Sequence, residues 1–424
     1  MSRRLKTFCT ERDVRAGSCT LPLLSVSIHK GVVPRSSVTD DPSRAEDLSN
    51  YKICERRDLV LNRMRAFQGA VGLAPMRGLV SPDYSVISVD TSAIPEYVSY
   101  LVRSAKFVAM MIERIRGIGS TELGSVRTPR INVEDLMDLS VELPGLAEQR
   151  RIADFLDDQV ARIDSIIAVR GAQRALIDQS KLDLASATLI GTDGVHVSRR
   201  PVGISWLEDI PVDWMMTTVH SAYSVLLGKM LDEKQQSGRF PTPYLRNTNV
   251  QWDRIAIDDI KVMDIEPSEL ERFTVRLGDL LICEGGQPGR SAVWNGEIVP
   301  MGFQKALHRA RPRGSNDVRW LQTFLRVAVG LNVFSTEFGQ ATIGHLTGEQ
   351  LRSLRLPLPD PAIQGSLSDK LDRDLAELRG VDRSLLRSIA LLGELKSSLI
   401  TAAVTGDFDV SAADGSQILA GVSS

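Results

Sequence analysis

Leucine recurs at every seventh position toward the C-terminal end of the chain, which is the spacing of an apolar seam along a long helix. The seam comprises Leu371, Leu378, Leu385, Leu392 and Leu399, with Val381, Leu395 and Ala402 at the intervening d-type positions. A more polar copy of this register occurs earlier, at Leu156, Ile163, Arg170, Ile177 and Leu184, with Ile166 and Ala187 between them. The pattern predicts two long helices that bury their apolar stripes against each other as a coiled coil.

The two helical segments are copies of one another. Residues 143–191 and 358–406 align without a gap, at the constant offset of 215 that relates Leu143 to Leu358. Prolines stand just before each helix and glycines just after it, at Pro144 and Pro359 and at Gly191 and Gly406, as helix start and stop chemistry requires. A period this long indicates a duplicated domain pair rather than a solenoid. Because a long globular segment returns the chain between the helices, antiparallel pairing is the simplest arrangement.

The segments before the two helices are predicted to be mixed α and β. Short apolar runs bounded by Gly, Pro, Asn and Asp predict strands, and the segments repeat faintly, with Asp58–Leu61 corresponding to Asp279–Ile282. We therefore predict an α+β fold in which two mixed α/β globular domains are separated by two long, antiparallel coiled-coil helices, with an internal pseudo-two-fold repeat. The predicted boundaries are 1–142 for the first globular domain, 143–191 for the central helical region, 192–357 for the second globular domain, 358–410 for the C-terminal helical region and 411–424 for a flexible tail.

Composition places the chain among ordinary soluble globular proteins, with 43% hydrophobic and 25% charged residues among 424. The net charge of −2 permits local basic patches without demonstrating nucleic-acid binding. The sequence contains no run of about 18 apolar residues, the length that would predict a membrane span. The charged N-terminus has no signal-peptide core, so a cytoplasmic location is expected. The four cysteines form no CxxC arrangement and the five histidines form no HxxxH or HExxH pair. Neither a metal site nor a disulfide framework is therefore predicted.

Candidate nucleic-acid contacts are cationic and amide side chains near glycine-rich turns, because phosphates attract cations and base edges are read by guanidinium and amide groups. Arg63 and Arg65 follow directly on a predicted strand, and so does Arg290 in the second half of the chain. Around Arg290, Gly285–Ser291 predicts a turn between two strands, since it lacks the lysine and the spacing of a phosphate-binding loop. The full candidate set is Lys30, Arg35, Arg63, Arg65, Arg246, Asn247, Asn249, Arg290, Lys305, His308, Arg309 and Arg311.

Four motifs belong together as the signature of one family. The first helical repeat opens with an LP…EQ…IA…LD pattern in Leu143–Asp164, and the second closes with LK..LI..AVTG in Leu391–Val410. Trp206–Trp214 has the form of an opening segment for a globular domain, and Asp279–Cys283 that of its inner strand. On these motifs the chain resembles the specificity (S) subunit of type I restriction-modification systems along nearly its whole length.

The resemblance implies a protein with no catalytic centre of its own. Each globular domain would be a target-recognition domain that reads one half of a split double-stranded DNA sequence, and the helices would set the gap between the halves. Two methyltransferase (M) subunits would dock on the helical regions, near Gln149 and Gln364, and motor-nuclease (R) subunits would join them. S-adenosylmethionine, ATP and Mg would be bound by these partner subunits.

Two other interpretations stay open. The second globular domain begins with Trp206–Trp214, and the first has no counterpart of this segment at the offset of 221 that relates Asp58 to Asp279. An inactive or N-terminally truncated specificity subunit is therefore one alternative. A coiled-coil scaffold with protein-binding globular ends is the other.

Overall fold

The computed structural model of the protein describes residues 2–28, 31–39, 47–117, 131–192, 198–231, 238–338 and 344–410. The chain divides into two compact units, of which unit 1 combines Met1–Gly171 with Leu385–Ser424 and unit 2 is Ala172–Ser384. This division runs through both long helices, so the domain boundaries predicted at the helix starts stay predictions. The predicted flexible tail, 411–424, lies outside the described residues.

The globular part of unit 1 is built on one four-stranded antiparallel sheet. Its strands are β1 (Ser2–Arg4), β2 (Cys9–Arg12), β3 (Leu24–Ser27), β4 (Gly31–Pro34), β5 (Lys52–Cys54), β6 (Leu59–Asn62), β7 (Val71–Leu73), β8 (Gly78–Val80), β9 (Tyr84–Val89) and β10 (Ser140–Glu142). The four-stranded sheet has the order β2–β9–β6–β7, and the other strands pair as β1–β10, β3–β4 and β5–β8. The helices are α1 (Pro95–Arg103), α2 (Ala105–Gly117), α3 (Val133–Met137) and the long α4 (Leu146–Ile190), which continues into unit 2.

Unit 2 contains two four-stranded sheets. Its strands are β11 (Arg199–Ile204), β12 (Leu207–Pro211), β13 (Met215–Thr218), β14 (Tyr223–Leu227), β15 (Pro241–Leu245), β16 (Val250–Gln251), β17 (Arg254–Ile255), β18 (Lys261–Asp264), β19 (Thr274–Val275), β20 (Leu280–Cys283), β21 (Ser291–Val293), β22 (Met301–Phe303), β23 (Leu307–Pro312) and β24 (Arg355–Leu358). The sheet orders are β14–β23–β20–β21 and β18–β15–β22–β19, beside the pairs β11–β12, β13–β24 and β16–β17. The helices are α5 (Val219–Ala222), α6 (Leu270–Phe273), α7 (Val318–Gly330), α8 (Val333–Phe338), α9 (Gly348–Ser353) and α10 (Pro361–Thr405), whose last part lies in unit 1.

The predicted internal repeat is confirmed by the sheets. The order β2–β9–β6–β7 in unit 1 repeats as β14–β23–β20–β21 in unit 2, with β6 and β20 at equivalent central places. A buried aspartate precedes each central strand and accepts a hydrogen bond from the backbone N–H three residues earlier, Asp58 from Glu55 at 2.8 Å and Asp279 from Arg276 at 2.7 Å. The faint sequence match of Asp58–Leu61 with Asp279–Ile282 therefore marks the same turn and the same strand in both units.

The two long helices pair antiparallel within each unit, as predicted. In unit 1, Leu156 and Ile163 of α4 lie in one buried apolar cluster with Leu392 and Leu399 of α10. In unit 2, Ala185 and Leu189 of α4 lie in a buried cluster with Leu371 and Leu375 of α10. Because the early part of one helix meets the late part of the other in both units, the coiled coil is antiparallel.

The heptad register differs from the predicted one, because the core positions between the leucines are partly other residues than those predicted. Val381, predicted at an intervening core position, is 51% exposed, whereas Leu375 and Ala403 are buried. After Leu371 and Leu399 the core therefore continues four residues later rather than three, which makes the leucine row the d-type row of the heptad. The predicted Leu395, three residues after Leu392, is partly buried against the core of unit 1. Periodic leucines alone fit either assignment, and only the neighbouring helix decides between them.

Two of these four-residue positions on α10 are charged. The Asp382 carboxylate accepts a hydrogen bond from Arg174 Nε at 2.7 Å and lies 3.8 Å from Lys181 Nζ, both on α4. Lys396 Nζ lies 2.7 Å from the Asp164 carboxylate of α4. The hydrogen bond from Arg174 lowers the pKa of Asp382 below its usual range. These pairs favour the observed alignment, because another alignment would leave charges in the seam without partners.

Among the described residues, helix α10 is long and apolar enough, by length and composition alone, to cross a membrane. Its apolar side chains include Leu392, Leu399 and Ile400, which belong to the buried core of unit 1. These side chains belong to the 28% of the apolar window that is buried in the structure.

The segment Trp206–Trp214 forms part of a hairpin packed on the core of unit 2. Trp206 lies with its ring centroid 5.8 Å from that of Phe324, and Trp214 meets Trp320 edge-on at 5.5 Å. Arg200 of the paired strand β11 donates to the Trp214 carbonyl at 2.7 Å.

In unit 1, Leu101 and Phe107 line an open cavity of about 190 Å³.

Replacing one seam leucine and its sequence neighbour tests the register. We expect Leu392→Ala to lower the free energy of unfolding of unit 1 by about 2–5 kcal/mol, because Leu392 is fully buried. Leu391→Ala should change it by less than about 0.5 kcal/mol, because Leu391 is 50% exposed. Urea denaturation followed by circular dichroism measures both, and equal effects would contradict the register.

Candidate nucleic-acid interface

A large open groove crosses unit 1 beside the end of its central strand. It has a volume of about 930 Å³ and is bordered by β3, by the loop that follows β6 and by the start of β9. Its polar lining side chains are Ser25, Ser27, Asn62, Arg65, Gln68, Ser81, Asp83 and Tyr84. The groove therefore brings together guanidinium, amide, hydroxyl and phenol groups and the Asp83 carboxylate from three separate parts of the sequence.

The loop after β6 presents Arg65 and Gln68 through a series of tight turns. Asn62 ends the strand, and its side-chain oxygen accepts the Met64 N–H at 3.1 Å, as in an Asx turn. The Arg65 N–H donates to the Asn62 carbonyl at 3.0 Å, and the Gln68 N–H to the Arg65 carbonyl at 2.9 Å. Gly69 closes the loop with φ +85°, a conformation that a residue with a Cβ rarely adopts.

Arg65 and Tyr84 give the groove its electrostatic character. Arg65 is exposed. Burial raises the pKa of the Tyr84 phenol, while the nearby charges of Arg65 and Arg35 act in the opposite direction. The phenol stays neutral at physiological pH, so it can donate a hydrogen bond or stack, and the adjacent guanidinium can bind a phosphate or a guanine edge.

The other candidates of unit 1 are less accessible. Arg63 is half-buried and donates from Nε to the Ile131 carbonyl at 3.2 Å. Arg35 is half-buried, and its Nε is enclosed without a hydrogen-bond acceptor among the described residues. Lys30 lies outside the described residues. Arg65 is therefore the candidate that the geometry of unit 1 favours.

In unit 2, the predicted Arg and Asn residues do come together, but each is held by partners within the unit. Asn247 donates from Nδ2 to the Gly285 carbonyl at 2.6 Å, and Arg290 donates to the Asn247 side-chain oxygen at 3.1 Å. Arg246 pairs with the Asp259 carboxylate at 2.6 Å. The buried Asn249 accepts the Arg246 N–H at 2.9 Å. Asn247 and Arg290 thus form one hydrogen-bonded network with the Gly285 carbonyl, and Arg246 and Asn249 form a second one with Asp259.

The glycine-rich segment next to that network is a turn between β20 and β21, as predicted. Gly286 and Gly289 have φ values of +72° and +89°. At Gly289, an added Cβ would lie 2.8 Å from the Phe334 ring, so only glycine fits there. Gly286 and Gln287 are exposed at the tip of the turn. The turn offers backbone groups and one amide side chain where unit 1 offers Arg65.

Three of the four candidates in and beside β23 are held within unit 2. His308 is fully buried and hydrogen-bonds through Nε2 to the Leu346 carbonyl at 2.8 Å. Arg309 is buried, its Nη1 donates to the Arg272 carbonyl at 3.0 Å, and burial lowers the pKa of its guanidinium to about 10. Arg311 binds the Asp279 carboxylate through Nε at 2.6 Å and Nη2 at 2.9 Å. These contacts correct the expectation that the three side chains are free to reach DNA; only Lys305 is exposed.

Gln149 and Gln364 fasten the helix starts instead of facing outward. In unit 1, the Gln149 side chain accepts the Ile94 N–H and donates to the Pro144 carbonyl, both at 2.8 Å. In unit 2, Gln364 accepts the Asp317 N–H at 2.9 Å and donates to the Pro359 carbonyl at 2.7 Å. Both side chains are at most 1% exposed, so they position the helices, and docking of a partner subunit near the helix starts stays a prediction.

The structure adds groove residues that sequence reasoning missed. Asn62 and Gln68 lie in the same loop as the predicted Arg65, so the signal for them was present in the amide side chains of that loop. Tyr84 and Ser25 come from distant strands, and no local pattern could join them to it.

Among the described residues, no three His, Cys, Asp or Glu side chains are grouped to hold a metal ion, and all four cysteines are free thiols.

Comparisons with known proteins show a likeness of fold. The sequence matches no family model and no curated protein. A chain from a structure on the complex assembly and conformational transition of the type I R-M (restriction-modification) system matches with a TM-score of 0.67 and 18% identity, covering 96% of this chain and 98% of that chain. The HsdS subunit from Thermoanaerobacter tengcongensis matches with a TM-score of 0.46, 18% identity and coverage of 96% and 97%. The type I S subunit from M. genitalium matches with 0.37, 12% identity and 95% of both chains. The first likeness shows that this chain shares its fold with a chain of a type I assembly over nearly the full length of both.

The buried His308 predicts a specific acid sensitivity of unit 2. Burial lowers the pKa of His308 below its ordinary value, so the native state resists a proton that the unfolded chain accepts near pH 6.5. We expect stability to be fully present above that pH and to fall by up to about 2 kcal/mol between pH 7 and pH 5 from this group. His308→Gln, whose amide can still donate to Leu346, should show a smaller fall in urea unfolding. An equal fall in both proteins would contradict this role for His308.

Proposed function

We propose that the protein is the specificity subunit of a type I restriction-modification complex, with no catalytic centre of its own. Each globular domain reads one half of a split double-stranded DNA target, and the long helices set the gap between the halves. Double-stranded DNA is thus the ligand of the chain itself, and the chemistry belongs to other subunits.

The observation that carries the proposal is the combination of a repeated frame with unequal surfaces. Both units have the same four-stranded sheet order and the same glutamine at a helix start. At equivalent places after the central strand, unit 1 carries Arg65 in an open groove, and unit 2 carries a glycine turn over the Asn247–Arg290 pair. A common frame with different recognition surfaces is what an asymmetric, two-part target requires.

We further propose that the outer faces of α4 and α10 bind two methyltransferase subunits, which motor-nuclease subunits join in the cytoplasm. S-adenosylmethionine, ATP and Mg would be bound on those subunits. The exposed apolar side chains of the two helices support this, since Leu176 of α4 is 68% exposed and Leu391 of α10 is 50% exposed. Such side chains supply apolar contacts at protein interfaces.

The central test is DNA binding by the complex assembled with its methyltransferase subunits. We expect a preference for one two-part sequence and an affinity that falls steeply as salt is raised, because bound phosphates release counterions. A library of random duplexes, selected and sequenced, gives both half-sites and their gap. A complex with no sequence preference and no salt dependence would contradict the proposal and favour a protein-binding scaffold.

Arg65→Ala tests the groove of unit 1. We expect it to weaken binding by about 5- to 150-fold if Arg65 reads a base, and to relax selectivity at one position of one half-site. Arg56→Ala is the matched control, because Arg56 is also exposed but precedes β6, whereas Arg65 follows it. Equal effects of the two substitutions on the selected duplexes would exclude a reading role for the groove.

A seven-residue insertion tests the spacing role of the helices. One heptad inserted after Gly171 and one after Ser384 would keep the seam in register and lengthen each helix by about 10 Å. We expect the preferred gap to grow by about three base pairs while both half-sites stay the same, since the rise of DNA is about 3.4 Å per base pair. Selection of duplexes by the assembled complex measures the gap, and an unchanged gap would contradict this role.

A further inference from the structure

One aspartate in unit 2 joins a hairpin of the globular part to two helices. Asp253 stands at the tip of the β16–β17 hairpin with φ +62°. Residues with a side chain rarely adopt this left-handed conformation, although Asp and Asn tolerate it better than most. A residue held in this way needs surrounding contacts to maintain it.

The contacts of Asp253 come from three side chains on two helices. Its Oδ1 accepts hydrogen bonds from Gln322 at 3.0 Å and from Arg326 at 2.5 Å, both on α7. Its Oδ2 accepts from Arg379 of α10 at 2.9 Å. We refer to Asp253, Gln322, Arg326 and Arg379 as the Asp253 clamp.

The Asp253 clamp is partly shielded from water. The side chain of Arg326 is 12% exposed and that of Asp253 is 23% exposed, and the Arg326 guanidinium also lies 4.7 Å from the centre of the Trp252 ring. Charge-assisted hydrogen bonds in such surroundings are stronger than those of fully exposed ion pairs. The link to α10 itself is the hydrogen bond from Arg379, whose side chain is 39% exposed, to the second carboxylate oxygen of the shielded Asp253.

A second connection holds α10 closer to its start. Arg319 of α7 donates to Asp369 at 2.7 Å and to Asp372 at 3.0 Å. Arg379 follows these residues by seven to ten positions, which is about 10–15 Å along a helix. Together with the buried Gln364, Leu371 and Leu375 near the helix start, the two connections fix the direction of the helix against the globular part, and the Asp253 clamp is the farther of the two along α10.

The Asp253 clamp also adjoins the candidate recognition surface of unit 2. Asn247 lies a few residues before the hairpin, and Arg290 directly precedes Ser291, whose carbonyl accepts from Gln322 at 3.1 Å and from the Asp253 N–H at 3.4 Å. The network of Asn247 and Arg290 is thus joined to α10 through the clamp. In unit 1, the residue equivalent to Arg379 is Asp164, which binds Lys396 of the paired helix.

We propose that Asp253 is a positioning residue that fixes the recognition surface of unit 2 on α10 and so makes the complex selective for one gap length. This rests on the proposed function. Without the clamp, the surface of unit 2 still reads its own half-site. The complex then also binds targets whose gap is one base pair longer or shorter. Asp253 therefore acts on the gap rather than on the sequence of either half.

The experiment uses the assembled complex and duplexes that carry both selected half-sites at the preferred gap and at one base pair more or less. Asp253→Asn keeps the left-handed turn and one acceptor oxygen but removes the charge that holds both arginines. We expect the preference for the correct gap to fall by about three- to tenfold, with the discrimination within each half-site changed by less than about twofold. Arg379→Ala should act in the same way, and Arg379→Lys should retain part of the preference.

Arg373→Ala is the matched control, because Arg373 is an exposed arginine on α10, the helix that also carries Arg379, and it belongs to neither connection. A thermal melt of each variant establishes that unit 2 is folded, and Arg379→Ala removes the helix side of the clamp without touching the strained turn. Unchanged gap preference with intact half-site discrimination would overturn the positioning role and leave the proposed function standing. Loss of half-site discrimination would assign Asp253 to the reading surface and also overturn it. A wild-type complex with no sequence preference would overturn the proposed function itself.

Discussion

The structure depends on covering the apolar stripe of two helices of 45 residues each. Neither helix is buried by one globular part alone, so each unit covers half of α4 with the opposite half of α10. The charged positions in the seam make this pairing selective, because Asp382 meets both Arg174 and Lys181 while Lys396 meets Asp164. Sliding one helix by a heptad would separate these charges from their partners at a cost that leucine contacts alone would not impose.

The globular parts are attached to this frame by the same contacts in both units, and they differ where they face solvent. A buried glutamine at each helix start ties the helix to a backbone N–H of the preceding globular segment. A buried aspartate before each central strand organises the turn that leads into it. Beyond the ends of these strands the two units diverge, from a groove with Arg65 to a glycine turn braced by Asn247. The same attachment in both units and different strand ends let one architecture carry two different surfaces.

The sequence predicted the helices, their antiparallel pairing and the repeat, because heptads and capping residues are local signals that survive in one chain. It misassigned Val381 to the seam, since periodic leucines are compatible with either neighbouring row of the heptad. It also grouped His308, Arg309 and Arg311 with the DNA contacts, although β23 is an inner strand whose polar side chains are held by carbonyls and by Asp279. Which charges are internal depends on strand order, and strand order joins residues far apart in sequence. For the same reason Tyr84 could not be joined to Arg65 before the sheet was known.

The interleaving of the two units orders the events of folding. Unit 2 is one continuous stretch, Ala172–Ser384, whereas unit 1 needs the end of α10, from Leu385 onward, to complete its core. The Tyr97 hydroxyl donates to the Val404 carbonyl at 3.2 Å, across 307 positions of the chain. During synthesis the part of unit 1 before α4 must therefore wait with an uncovered apolar face until the end of α10 has left the ribosome, while unit 2 can fold in the interval. Synthesis that stops just before Leu385 would leave unit 2 complete and unit 1 without the part of α10 that covers its core, which exposes that core to proteases and chaperones.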